Sequence, residues 1–181
     1  IDVALDSSGM FSFLIGGGVG VGFVAGDLYR TQAYPTDGGA ADPNALYTVW
    51  SGANDIFGAI GGGVWATSPA IIGGSTAVAT AVLTNVTTLQ NAGANYIVVY
   101  NLPDLARTPQ FNTAPVAQQG AFNLATVSYN AALSAGLEGR DGIIAINTFA
   151  LVNEAIANPG YFGFSNVTGI ACGPGLPGAV S

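Results

Sequence analysis

ADPNALYTVWSGANDIF, residues 41–57, contains the clearest fold signal of the chain. Its centre, residues 45–50, is a short apolar run of strand-favouring residues, and turn-forming residues flank it on both sides. This pattern predicts a buried strand that ends at small and amide residues. In open α/β folds the ends of such strands form the carboxyl edge of the sheet, where ligands bind.

Three later segments predict helices. In residues 75–93 apolar side chains recur at spacings of three and four, with Ser75 as the expected N-cap and Gly93 as the expected C-cap. Residues 117–137 have apolar side chains along one side, and residues 149–157 precede an Asn-Pro-Gly sequence that ends a helix.

Apolar runs at residues 11–15, 96–102 and 142–146 predict further strands. The glycine-rich residues 58–74 predict a surface loop, with a short helix inside it as the alternative. The alternation of strands and helices favours right-handed crossovers and a parallel sheet with helices on both faces. We therefore expect a single α/β domain over residues 1–181, a three-layer α/β/α sandwich with a mainly parallel sheet.

Composition excludes several classes of partner. Half of the 181 residues are hydrophobic, only 7% are charged, there is no lysine, and the net charge is −7. A protein binds nucleic acids or anionic membranes through clustered basic residues, so neither is an expected partner of this chain. Residues 7–26 are uncharged and long enough to cross a bilayer, but their seven glycines argue against a membrane helix. Acidic, lysine-free chains are common among secreted bacterial proteins, so secretion is expected.

Three segments resemble a known family. Gly52-Ala53-Asn54-Asp55 resembles the third conserved block, Gly-x-Asn-Asp, of the SGNH or GDSL esterases and lipases. Residues 101–109 and 147–173 resemble stretches of the bacterial autotransporter-type members. The resemblance implies a flavodoxin-like sandwich, secretion or location at the cell surface, and hydrolysis of small-molecule or lipid esters through a serine acyl-enzyme. It implies no cofactor.

The same block provides the first candidate site residues. An amide N–H of Asn54 suits a developing oxyanion, and the resemblance identifies this residue with the asparagine of the oxyanion hole. The alternative is a turn-forming asparagine bonded to its own loop. Gly52 allows a sharp backbone turn beside the substrate, and Asp55 is expected to orient the loop by accepting backbone N–H bonds.

Two further site residues follow from partial matches. Ser7, in Leu5-Asp6-Ser7-Ser8, matches the nucleophile of the family, although leucine stands where the family has glycine. The alternative to a nucleophile is a residue of a surface turn. Gly17, in a run of three glycines, matches the second block, whose glycine N–H is another oxyanion donor. Residues 20–25 fit G-x-G-x-x-A, but no apolar stripe follows, so no dinucleotide is expected.

The chain has no histidine, so it cannot by itself form a Ser-His-Asp triad. Three explanations are open: a fragment of a longer esterase, missing blocks on another chain, or a domain that has lost catalysis. Under the first two explanations, another segment or chain carries the serine and histidine. The protein would then contact a membrane only through a C-terminal barrel that is not part of this sequence. On the third, the domain is a non-catalytic secreted or cell-surface binding module.

The remaining candidates have two interpretations each. Asp104 and Arg107 follow a strand, and they either pair with each other or face the substrate. Cys172 is unpaired, and it is either one half of a bridge or a small apolar residue. No group of residues has the spacing of metal ligands. Aromatic side chains are expected in the core, with an acyl pocket as the alternative; these are Trp50, Phe57, Trp65, Tyr161 and Phe162.

Overall fold

A computed structural model describes residues 4–5, 11–12 and 41–169. The predictions for Ser7, Gly17 and Cys172, and for residues 20–25, lie outside the described residues. The strands are β1 (Ala4–Leu5), β2 (Phe11–Ser12), β3 (Leu46–Val49), β4 (Tyr96–Tyr100) and β5 (Ile143–Ile146). The helices are α1 (Ala53–Gly61), α2 (Ser68–Asn91), α3 (Val116–Leu137) and α4 (Thr148–Ala157), with 3₁₀ turns at Leu105–Arg107 and Pro159–Phe162.

The main sheet is parallel and has the strand order β3-β4-β5. Val49 pairs with Val99, and Ile97 pairs with Ile143, so the three strands are in register across the sheet. Helices α1 and α2 connect β3 to β4, and α3 connects β4 to β5. The α/β prediction with a parallel sheet is confirmed. The strands β1 and β2 form a separate antiparallel pair.

One face of the main sheet forms the core. Tyr47, Val49, Ile97 and Val99 point to this face and are buried. They belong to one apolar cluster with side chains of α2 and α3, among them Val78, Val82, Val86, Leu89, Phe122, Tyr129 and Leu133. This packing fixes α2 and α3 against the sheet, and it sets the direction in which the loops leave the strand ends.

The opposite face of the main sheet is more open. Within the described residues, Leu46 is 62% exposed, Tyr96 53% and Ile144 47%, and they lie on neighbouring strands. Val98, between them, is buried.

Helix α2 begins earlier than its sequence pattern predicts. It starts at Ser68, and the Thr67 hydroxyl caps it by accepting the N–H of Ala70. Ser75 therefore lies inside the helix, fully buried, and its prediction as the N-cap is wrong. The C-cap is Ala92, one residue before the predicted Gly93, and Gly93 itself follows with a φ of +104°. By length and composition α2 could cross a membrane, but its buried side chains belong to the core cluster.

The surface loop predicted over residues 58–74 is confined to residues 62–67. Helix α1 occupies its first part and α2 its last part. Gly74 lies within α2, and Trp65 packs against its backbone: a Cβ at Gly74 would lie 2.1 Å from Trp65 Cε2. Glycine at this position permits close packing. The local sequence does not show whether a glycine serves close packing or a flexible loop.

Candidate active site

The parallel strands bring three chain segments to one edge of the sheet. Strands β3, β4 and β5 end at Val49, Tyr100 and Ile146, and because they are parallel and in register, the residues that follow lie at the same carboxyl edge. The segments that begin there are residues 50–55, 101–104 and 147–149. This edge is where α/β sheets bind ligands.

Gly52 makes the turn from β3 into α1. Its φ of +104° lies in the left-handed region, and a Cβ there would be 2.7 Å from Tyr129 Cε2. The hydroxyl of Tyr129 donates a 2.8 Å hydrogen bond to the backbone carbonyl of Ser51. Both backbone conformation and space therefore require glycine here, and α3 holds the turn in place.

Asn54 lies in the first turn of α1, not in a loop as expected. Its side chain is half-buried and makes no hydrogen bond with any residue from 41 to 169. The amide is not bonded to its own loop, as the turn-forming alternative requires. The first N–H groups of a helix are unpaired within it, and the helix dipole favours negative charge there. Asn54 thus adds a free amide donor to a helix terminus that favours anions.

Asp55 is a buried acid beside this amide. It is only 3% exposed, and its Oδ1 has no hydrogen-bond partner within residues 41–169. Burial raises the pKa of the Asp55 carboxyl above its ordinary value, and its own backbone N–H offsets part of this increase. Burial and the nearby Asp55 charge raise the pKa of Tyr129. The Asp55 side chain is therefore buried under the turn and does not face solvent.

Asn101 ties the end of β4 to the start of α4. Its Oδ1 accepts from the Thr148 hydroxyl at 2.9 Å and from the Phe149 N–H at 3.0 Å, and its Nδ2 donates to Asn147 Oδ1 at 3.0 Å. The Thr148 hydroxyl also contacts the Asn101 carbonyl. The sequence alone assigns Asn101 no role, because its partners are more than 40 residues away along the chain.

Asp104 and Arg107 bind other partners, so the prediction that they pair is wrong. Asp104 Oδ1 accepts the Ala106 N–H at 3.1 Å, and its Oδ2 accepts from Asn123 Nδ2 at 3.0 Å. Arg107 Nη1 donates to Asn153 Oδ1 at 2.7 Å, which links the β4 end to α4. These bonds brace an apolar cavity of about 320 Å³.

None of the five aromatic candidates lines this cavity. Phe57 packs in the core against Phe111 and Phe122, at centroid distances of 5.2 and 5.6 Å. Trp50 is 45% exposed beside Tyr100. In the part of the chain that the structure describes, no three His, Cys, Asp or Glu side chains come together in a way that could hold a metal ion.

Two known proteins are similar to this chain, and one of them is an esterase. No protein-family profile matches the chain. An uncharacterized protein of the trpE-trpG intergenic region of Pseudomonas putida is 36% identical over 159 residues, which are 87% of this chain and 24% of that protein. An acetylesterase of Thermothelomyces thermophilus is 33% identical over 133 residues, which are 69% of this chain and 42% of the acetylesterase.

The chain therefore spans less than half the length of either relative. The similarity to the acetylesterase is distant and partial, and it supports an esterase interpretation of the chain and nothing finer.

Proposed function

We propose that this chain is the central part of a serine-type carboxylic-ester hydrolase of the SGNH or GDSL kind, secreted or held at a bacterial cell surface. The observation that carries the proposal is Asn54: a half-buried amide, unbonded within residues 41–169, at the start of a helix on the carboxyl edge of a parallel sheet. The resemblance of the Gly-x-Asn-Asp block and the partial similarity to an acetylesterase support it.

In the proposed reaction, a serine hydroxyl attacks the ester carbonyl while a histidine takes its proton. The tetrahedral intermediate places its negative oxygen against the Asn54 amide N–H. When the C–O bond breaks, the histidine returns the proton to the leaving alcohol, and an acyl-enzyme remains. Water then attacks the carbonyl of the acyl-enzyme while the histidine takes its proton. When the bond between the acyl carbon and the serine oxygen breaks, the histidine returns the proton to the serine, and the acid is released.

This chain supplies the oxyanion donor, and the histidine comes from polypeptide outside its 181 residues, which contain none. The relatives have room for it, because the matched region is 24% of one and 42% of the other. Gly17 is proposed as a second oxyanion donor and Ser7 as a candidate nucleophile. The substrate is a small-molecule or lipid ester.

The first test uses the longest reading frame that encodes this chain. We expect that protein to hydrolyse p-nitrophenyl butyrate, and Asn54→Ala to lower kcat by about 100-fold, the usual loss for one oxyanion donor. Asn91→Ala, at an exposed asparagine at the end of α2, is the matched control and should retain full activity. Equal rates for wild type and Asn54→Ala would overturn the role of this amide.

The second test uses the 181-residue chain alone. Without histidine it should neither turn over the ester nor react with a fluorophosphonate. Fluorophosphonate labelling that Ser7→Ala abolishes would show that the chain activates a serine without histidine. A longer protein that is inert to both reagents would favour the non-catalytic binding domain, an alternative that the lack of histidine supports.

A further inference from the structure

The apolar cavity beside the β4 end has the size and position of a ligand site. Its volume is about 320 Å³, and its apolar walls come from three segments: the loop after β4, helix α4, and the residues after the second 3₁₀ turn. Small-molecule pockets range from about 300 to 1,000 Å³ and are mainly apolar. The apolar side chains that line it include Pro103, Pro109, Val152, Ile156, Phe164 and Val167.

The polar residues at this cavity are already bonded to the protein. Both Asp104 carboxylate oxygens accept hydrogen bonds, and the Thr108 hydroxyl donates to the Leu105 carbonyl at 2.8 Å. Asn166 Oδ1 accepts the N–H groups of Thr168 and Gly169 at 3.2 and 2.8 Å. The Arg107 guanidinium bonds Asn153, and its charge is opposite to that of Asp104, which also lines the cavity. Because most of the lining side chains are apolar, the cavity favours an apolar ligand.

The cavity belongs to the same edge of the sheet as Asn54. Pro103 lies three residues after the end of β4, and β4 is the neighbour of β3, which leads into α1. Two aromatic side chains connect Asn54 with the cavity. Phe57, one helical turn after Asn54, stacks on Phe111 with a centroid distance of 5.2 Å. Phe111 follows the cavity residue Pro109 by two positions. A substrate bound at the amide thus has an apolar cavity at the adjoining strand end.

We infer that this cavity is the subsite for the alkyl chain of the ester substrate, which makes the substrate an ester with an extended aliphatic chain. The choice of ligand rests on the proposed function. The subsite itself binds an uncharged alkyl chain by burying its methylene groups. It needs no catalytic group, so binding can be measured apart from hydrolysis.

Methyl ketones with propyl to nonyl chains are neutral, non-hydrolysable probes of the 181-residue chain. Each buried methylene should tighten Kd by about fourfold until the cavity is full, after which Kd should level off. Ala155 lines the cavity, and Ala155→Trp should weaken binding of the longest probe by more than about tenfold. Ala157→Trp makes the same substitution at an exposed position on the same helix and should leave Kd unchanged.

Methyl NMR of the wild-type chain gives a result even if Ala155→Trp does not fold. The probe should shift the methyl signals of Val152, Ile156 and Val167. Shifts confined to Leu133 and Ile143, which line a separate cavity between β5 and α3, would overturn the assignment. So would a Kd that does not change with chain length.

These outcomes separate the subsite from the proposed hydrolase. Ketone binding at this cavity, with no hydrolysis by the longer protein, would retain the subsite and reject the hydrolase. Hydrolysis that Asn54→Ala impairs, with no ketone binding, would reject the subsite alone.

Discussion

The Tyr129 hydroxyl donates a 2.8 Å hydrogen bond to the backbone carbonyl of Ser51, although the two residues are 78 positions apart. This bond joins α3 to the turn that leads from β3 into α1. The ring of Tyr129 is fully buried and lies against the backbone of Gly52. The position of the Asn54 amide therefore depends on a side chain from a distant helix, and the first two predictions concern this contact.

Tyr129→Phe removes the hydroxyl and keeps the ring. We expect a loss of about 1 kcal/mol in the free energy of unfolding, and up to about 3 kcal/mol if the Ser51 carbonyl finds no other donor. Urea unfolding followed by circular dichroism measures it. Tyr96→Phe, at a tyrosine that is 53% exposed, is the control and should change stability little. Equal stability of Tyr129→Phe and wild type would contradict this bond.

Gly52→Ala places a methyl group 2.7 Å from Tyr129 Cε2 at a residue whose φ is +104°. We expect destabilisation of about 2–4 kcal/mol from the backbone conformation and the steric overlap together. Gly120→Ala is a matched control within α3, because no atom lies within 4 Å of its added Cβ. That substitution should be neutral or stabilise by up to about 1 kcal/mol, since alanine favours a helix. A Gly52→Ala variant as stable as Gly120→Ala would refute the requirement for glycine.

Asp55→Asn tests the buried carboxyl through pH. Burial raises the pKa of Asp55 in the folded state, so its protonation favours folding at low pH, and this contribution is lost as pH rises through the folded-state pKa. The neutral amide does not titrate. We expect the free energy of unfolding of the variant, relative to that of wild type, to increase as pH rises above about 4. Below that pH the difference should be least favourable to the variant.

Urea unfolding across a pH series measures this difference. Asp141→Asn, at an exposed aspartate, serves as the control and should change stability little. A difference between Asp55→Asn and wild type that stays constant with pH would show that the carboxyl is not perturbed by burial.

Asn101→Ala tests the connection between β4 and α4. The variant removes the acceptor for the Phe149 N–H and one of the two Asn101 oxygens that the Thr148 hydroxyl contacts; the backbone carbonyl remains. We expect faster amide hydrogen exchange in α4, with a loss of about 1–3 kcal/mol of local stability, and no change in the exchange of α2. Asn158→Ala, at the other end of α4, is the comparison, because its side chain makes only a long 3.5 Å bond to the Glu154 carbonyl. Unchanged exchange in α4 would exclude this connection.

Much of the fold could be predicted because it depends on local patterns. The apolar run before Ser51 predicts β3, and the stripe that includes Val82 and Leu89 predicts most of α2. Periodicity and turn residues act over a few positions, so the sequence shows them directly. The start of α2 could not be predicted, because Gly73 and Gly74 are typical of a loop in the local sequence, whereas the packing of Trp65 against Gly74 is a tertiary contact.

The sequence by itself determined the alternation of strands and helices, the absence of histidine, and the presence of an amide after β3. Tertiary structure alone decided that Asn54 lies in the first turn of a helix, that Tyr129 holds the turn before that helix, and that Arg107 binds Asn153 instead of Asp104. The physical reason is distance along the chain. Secondary structure depends on neighbours within a few residues, whereas these contacts join residues that only the packed sheet and helices bring together.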